Sequence, residues 1–355
     1  MSSISHPVMN EYRTGIIGCG NIGSKYDENC DLDNVYTHAG MVHQTPGLKL
    51  VAATDIDQQR LARCGQYWGV DRLYHDYLEM LREEELELVC IATPDETHRK
   101  ILLDIQNYSS VRLVLSEKPI AQTSDHAKEI VSAFRESNSI VLVDYIRRWD
   151  ANHVEVREII KQKSFGDIQS IHGSYVRGLR HNGCQMVNLL RFFFGEILTV
   201  QAFGPFGCGA NPEDPSISFH AVLNNELRAT IFACDQKGYG FSIFELDIMF
   251  CRGRIRIVDG GQHIELFHTK ESDTFNNFSV LSRDNHTLSE SSYGQAMLNA
   301  GRDIVKILQG RSTCMTNTIL EAYSDMKIID CIFESGLSGN SIIDSRGSIN
   351  GSFSD

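Results

Sequence analysis

The stretch from Gly15 to Gly23, GIIGCGNIG, restricts the fold of this chain more than any other. Gly18, Gly20 and Gly23 stand in the spacing G-x-G-x-x-G, with Asn21 and Ile22 completing the turn, directly after the apolar run Gly15-Ile16-Ile17. A strand that ends in such a turn and opens a helix lets backbone N–H groups approach a pyrophosphate. Side chains at the glycine positions would hold the phosphates away. Taken alone, the spacing also fits an ordinary glycine turn.

A second segment removes that ambiguity. The apolar run Val111 to Leu115 leads into Ser116-Glu117-Lys118-Pro119-Ile120-Ala121. A lysine at the end of a buried strand, beside a bound nicotinamide, is suited to proton transfer. Together the two segments resemble the glucose–fructose oxidoreductase / inositol dehydrogenase / MocA family of dehydrogenases, over the chain from about Thr14 to Gly336. The resemblance implies a nucleotide domain followed by an α/β domain with a large open sheet. It also implies last helices that return toward the first domain.

The chain has 355 residues, which suits two domains better than one. A formal net charge of -13 argues against a nucleic-acid surface, which needs clustered Lys and Arg. The ten cysteines show no C-x-x-C and no zinc spacing with His, so no metal site is expected and the thiols read as reduced residues of a cytoplasmic protein. Met1 to Arg13 lacks the apolar core of a signal peptide, and no apolar run reaches the length of a membrane span.

Apolar strands alternate with helical patterns up to about residue 145. Strands are expected at Arg13–Ile17, Leu48–Thr54, Leu86–Ala92, Val111–Leu115 and Ile140–Val143. Helices are expected at Gln58–Trp68, Asp76–Glu83, Glu96–Gln106 and Ser124–Glu136, with Ser124 as an N-cap. That alternation predicts a doubly wound parallel sheet, a Rossmann domain over 1–145. From 146 to 336 longer strand-like stretches predict an α+β domain with a large, mostly antiparallel open sheet. The tail 337–355, rich in Ser, Gly and Asn, reads as mobile.

Asp55 ends the second strand, where a carboxylate accepts the adenosine ribose hydroxyls and repels a 2′-phosphate, so NAD is expected over NADP. It lies 32 residues beyond Gly23 where about 20 is usual. By the resemblance, His38-Ala39 starts the family's first helix, which makes Ser24–Thr37 an insertion. Its acidic residues Asp27, Glu28, Asp31 and Asp33 read as a solvated loop rather than a lid over the cofactor. The resemblance also assigns Thr93, Pro94, His98, Glu117 and Lys118 to the cofactor side of the site.

Family members place an aspartate and a histidine four residues apart on a helix facing the substrate. Here His181 stands at the aspartate position, Gln185 at the histidine position, and Asn188 at a further aspartate position. Gln185 cannot transfer protons. Lys118 and His181 are left as the acid–base candidates, with Gln185, Arg148, Trp149 and Tyr175 as substrate contacts. The expectation is an NAD-dependent oxidoreductase acting on a polyhydroxylated small molecule, a sugar, cyclitol or nucleotide sugar. It would form a homodimer or homotetramer through an apolar outer face of the second sheet. Two alternatives stand beside it: an imine or ketosugar reductase of amino-sugar synthesis, and a non-catalytic nucleotide-binding sensor.

Overall fold

The fold is described from a computed structural model, covering residues 11–28, 33–238, 240–283, 292–312 and 316–346. Met1 to Asn10, Asp31 of the insertion and residues 347–355 of the tail lie outside the described residues. Two compact units emerge: 1–120 with 128–146 and 294–319, and 121–127 with 147–293 and 320–355.

In the first unit, β1 (Tyr12–Ile17), α1 (His38–Gln44), β2 (Leu48–Thr54), α2 (Gln58–Trp68), β3 (Arg72–Tyr74), α3 (Tyr77–Glu83), β4 (Leu88–Ile91), α4 (Asp95–Ile105), β5 (Leu113–Ser116), α5 (Ser124–Arg135), which belongs to it from Lys128 on, and β6 (Ile140–Val143) follow one another. The six strands form one sheet in the order β3-β2-β1-β4-β5-β6, all parallel. Every residue of β4 and β5 is buried, which is why these strands read as continuous apolar runs rather than alternating ones. The strand order reverses between β1 and β4, the switch point at whose carboxyl end such sheets bind ligands. Strand β3 has three residues, two of them exposed, too short for a sequence signal.

Polar caps fix where the helices start. Thr37, Asp57 and Asp76 each accept a backbone N–H at the N-termini of α1, α2 and α3. Helix α5 is capped one residue earlier than expected: Thr123 Oγ1 accepts from the N–H of His126, and Ser124 is already helical.

The second unit holds α6 (Ala151–Lys161), β7 (Ile168–Tyr175), α7 (Cys184–Phe194), β8 (Ile197–Asn211), β9 (Asp214–Leu223), β10 (Arg228–Ala233), β11 (Phe244–Phe250), β12 (Gly253–Val258), β13 (His263–Glu271) and β14 (Ser279–Arg283). Helix α8 (Tyr293–Leu308) belongs to the first unit from Gly294 on, whereas α9 (Ile319–Leu337), from Leu320 on, and β15 (Ile343–Asp344) belong to the second. The nine-stranded sheet runs β14-β13-β12-β11-β7-β10-β9-β8-β15, antiparallel except for the β7–β10 pair.

Two expectations are corrected here. The start of the tail is not loose: Ile343 and Asp344 pair with Val200 and Thr199 of β8, and the Ser345 N–H donates to Leu198 O at 3.0 Å. Nor is the less buried face of the sheet apolar. Along β11 the buried Phe244, Leu246, Ile248 and Phe250 alternate with half-buried Glu245, Asp247 and Met249. Ion pairs of Asp247 with Arg254 and of Arg256 with Glu265 decorate the neighbouring strands.

Candidate active site

The glycine turn is built as its spacing implies. Gly18 has φ +98°, and a Cβ there would sit 2.6 Å from Ala92 O; a Cβ on Gly23 would sit 2.0 Å from Gly18 O. Gly20 differs, since a Cβ on it would meet nothing within 4 Å. Two glycines thus serve close packing, and the middle one leaves an open backbone face, the cradle a dinucleotide phosphate requires. Asn21 and Ile22 are exposed on the turn. Asp55 ties the turn to the second strand: its carboxylate accepts from the N–H groups of Cys19 at 2.7 Å and Asp57 at 2.8 Å.

The insertion is packed around two of its acids, Asp27 and Glu28, rather than solvated there, while Asp33 is exposed. Asp27 is fully buried and accepts from Tyr36 N, Thr37 N and Thr37 Oγ1. Glu28 accepts from Ser24 Oγ at 2.6 Å and pairs with Arg63 at 2.6 Å. The N–H groups of His38 and Ala39 return to the carbonyls of Ile22 and Gly23, so α1 starts where the resemblance put it.

Thr93 and Pro94 follow β4, with Pro94 at the N-cap of α4. His98 is a brace: its Nδ1 lies 2.8 Å from Pro119 O and its Nε2 2.9 Å from Thr93 O, joining the two loops at the strand ends. It is almost fully buried.

Lys118 follows β5, half-buried, and its backbone N–H donates to Glu117 Oε2 at 3.3 Å. Beside it stands a cluster that sequence reasoning missed. His38 Nε2 is 3.2 Å from Glu117 Oε1 and 3.9 Å from Asp144 Oδ2. Asp144 arrives through the sheet, since its N–H donates to Ser116 O at 2.8 Å just beyond the β5–β6 ladder. Burial and then the charge of Glu117 push the Asp144 carboxyl up to about 7, against His38 and Lys118. Burial opposes the charge on His38, but Cys90 and Glu117 overcome it and hold the imidazole well above its usual range. Burial likewise opposes ionisation of Glu117, yet His38 and Lys118 draw it below the usual carboxylate range. An acid next to a strand end in an apolar run was the only available hint of Asp144.

In the second unit, a π-helical turn at Leu179–Gly183 carries His181 into α7. Asp214, also missed from sequence, holds that turn by accepting from the N–H groups of Arg180 and His181, each at 2.8 Å. Gln185 is fixed at both ends of its amide. Its Oε1 accepts from Arg147 Nη1, and its Nε2 donates to Asn182 Oδ1 at 3.0 Å. Arg147 in turn donates to Gly260 O at 2.9 Å and stacks 3.9 Å from the centre of the Phe244 ring.

The remaining expected substrate contacts sit in packing positions. Tyr175 is fully buried, and its hydroxyl donates to Ile217 O and accepts from Ile217 N–H, so it belongs to the core. Arg148 is buried, donating to Asn188 Oδ1 at 2.9 Å and pairing with Glu321. Trp149 is buried beside it in the chain.

A sequence model described as an oxidoreductase family with an NAD-binding Rossmann fold, Gfo/Idh/MocA, matches residues 12–145. Over those residues the chain is similar to this family. Among similar curated proteins, the inositol 2-dehydrogenase of Rubrobacter xylanophilus is 31% identical over 153 residues, which are 43% of this chain and 40% of that protein. The D-apiose dehydrogenase of Paraburkholderia graminis is 25% identical over 217 residues, 56% of this chain and 54% of that one. The chain therefore spans about half the length of these relatives. A solved levoglucosan dehydrogenase in complex with NADH and levoglucosan shares the fold at a TM-score of 0.75 and 16% identity, over 95% of this chain and all of that one. The similarity agrees with the six-stranded parallel sheet and with the glycine turn that Asp55 ties to the second strand.

Proposed function

We propose that this chain is a Gfo/Idh/MocA-type, NAD-dependent oxidoreductase of a polyhydroxylated small molecule, a sugar, cyclitol or nucleotide sugar, working in the cytoplasm. The observation that carries the reading is Lys118. It stands at the carboxyl end of β5, next in the sheet to the switch-point strand β4. When bound, oxidised nicotinamide accepts the hydride of a secondary alcohol. Lys118 takes the hydroxyl proton in that direction and returns it in the other. His181, held by Asp214 through its backbone, assists.

Gln185 orients rather than reacts, and its direct object is Arg147. A planar guanidinium held by an amide and a carbonyl suits recognition of substrate oxygens. Both departures from the family's acid–base helix have packing partners: Gln185 bonds Arg147 and Asn182, and Asn188 bonds Arg148 and Asp325. They therefore do not by themselves favour a non-catalytic sensor. Assembly into a dimer or tetramer through the nine-stranded sheet is part of the proposal, with a face of ion pairs and scattered aromatics such as Phe232 as the contact.

A screen of sugars, cyclitols and nucleotide sugars, followed by the absorbance of reduced nicotinamide, tests the reading. NADH formation with at least one polyol supports it. Tight NAD binding with no turnover on any member replaces it with the sensor.

A further inference from the structure

Three titratable side chains from three separate elements converge behind Lys118: His38 from α1, Glu117 after β5 and Asp144 after β6. One nitrogen or oxygen of each lies within 4.8 Å of the others. His38 is fully buried and Asp144 is 6% exposed. Neither His38 Nδ1 nor Asp144 Oδ1 has a hydrogen-bond partner among the described residues. Two carboxylates this close in a dry site repel each other, so one holds a proton or a cation offsets the charge. The charged and titratable groups that face the cluster are Cys90 on β4, His98 on α4 and Lys118.

We propose that His38, Glu117 and Asp144 form a proton reserve that answers to the charge of the cofactor: oxidised nicotinamide drives a proton off the cluster into solvent, and reduced nicotinamide leaves it in place. The proposal rests on the cofactor reading above and deepens it. A dehydrogenase must discharge one proton for each alcohol it oxidises. The family's usual histidine is absent at Gln185, and Lys118 acts electrostatically on both Glu117 and Asp144 of this reserve. Asp144 acts as a positioning residue here. It holds no substrate, and it sets the proton count around Lys118. The titration of Asp144 near neutrality, raised by burial and by Glu117, places that exchange in a useful pH range.

Calorimetry of cofactor binding to the intact protein at pH 7, in buffers of different ionisation enthalpy, counts the protons released without needing a substrate. NAD+ binding should release about half a proton, and NADH binding close to none. Asp144→Asn, a change of nearly equal shape, should bind NADH within about threefold of wild type yet abolish the release on NAD+ binding. Glu117→Gln should reduce it as well. Equal proton counts for wild type and Asp144→Asn overturn the reserve, as does a stoichiometric divalent metal in the purified protein. If neither NAD+ nor NADH binds, the cofactor reading falls and the reserve with it.

Discussion

The side-chain amide of Asn188 donates to Oδ2 of Asp325 at 2.7 Å, deep in the second unit. Asp325 is also paired with Arg191 at 2.5 Å, while Asn188 Oδ1 accepts from Arg148. An aspartate at 188, the family's residue, would face this buried carboxylate with another. Burial raises the Asp325 carboxyl, although Arg191 and Arg148 pull it down. Asn188→Asp should therefore cost about 2–4 kcal/mol of stability at neutral pH, read from urea unfolding, because it leaves like charges buried together. The loss should shrink in mild acid, where one of the two carboxyls takes a proton.

Asp144 predicts a pH dependence of stability with a definite sign. Its carboxyl sits at about 7 in the fold against an ordinary value of 3.8, so the folded chain binds the proton more tightly than the unfolded one. Its contribution is fully present below about pH 4 and is lost as the pH rises through about 7. Asp144→Asn should thus leave Tm nearly unchanged near pH 4 and raise it increasingly toward pH 7, with a plateau above. A thermal melt series across pH 4 to 8 shows this directly.

Asp55 predicts cofactor choice. NADH should bind at least about tenfold more tightly than NADPH, or about 1.4 kcal/mol, by intrinsic fluorescence titration. Asp55→Ala should narrow the gap. It should also weaken both affinities, because the N–H groups of Cys19 and Asp57 lose their acceptor and the turn loses its tie to β2.

Gln185→Ala should raise KM about tenfold and change kcat little, since it frees the Arg147 guanidinium and removes no proton-transfer group. An equal fall in kcat and kcat/KM would instead mark Gln185 as acting in the transition state alone.

The Rossmann half was legible because its signals are local. Continuous apolar runs gave β4 and β5, and the glycine spacing gave the turn. Thr37, Asp57 and Asp76 cap helices within a few residues of themselves. What stayed hidden is long-range. Asp27 looked like solvated acid until its fold-back onto Tyr36 and Thr37 was seen. Asp144 and Asp214 gain their roles only through strand neighbours and a turn that lie far away in sequence. Tyr175 read as a substrate contact because it ends a strand near His181. The alternation along β7, which turns its hydroxyl onto Ile217, points it into the core.

The central claim, that Lys118 carries the proton of a nicotinamide-linked oxidation, is tested most directly by Lys118→Met. NADH formation should be followed by absorbance on the polyol that the wild type turns over best, with NADH affinity measured alongside. A general acid–base group is worth about 10²–10⁴ in rate, so the account predicts a loss of that order with NADH binding preserved. Near-wild-type turnover by Lys118→Met would contradict it.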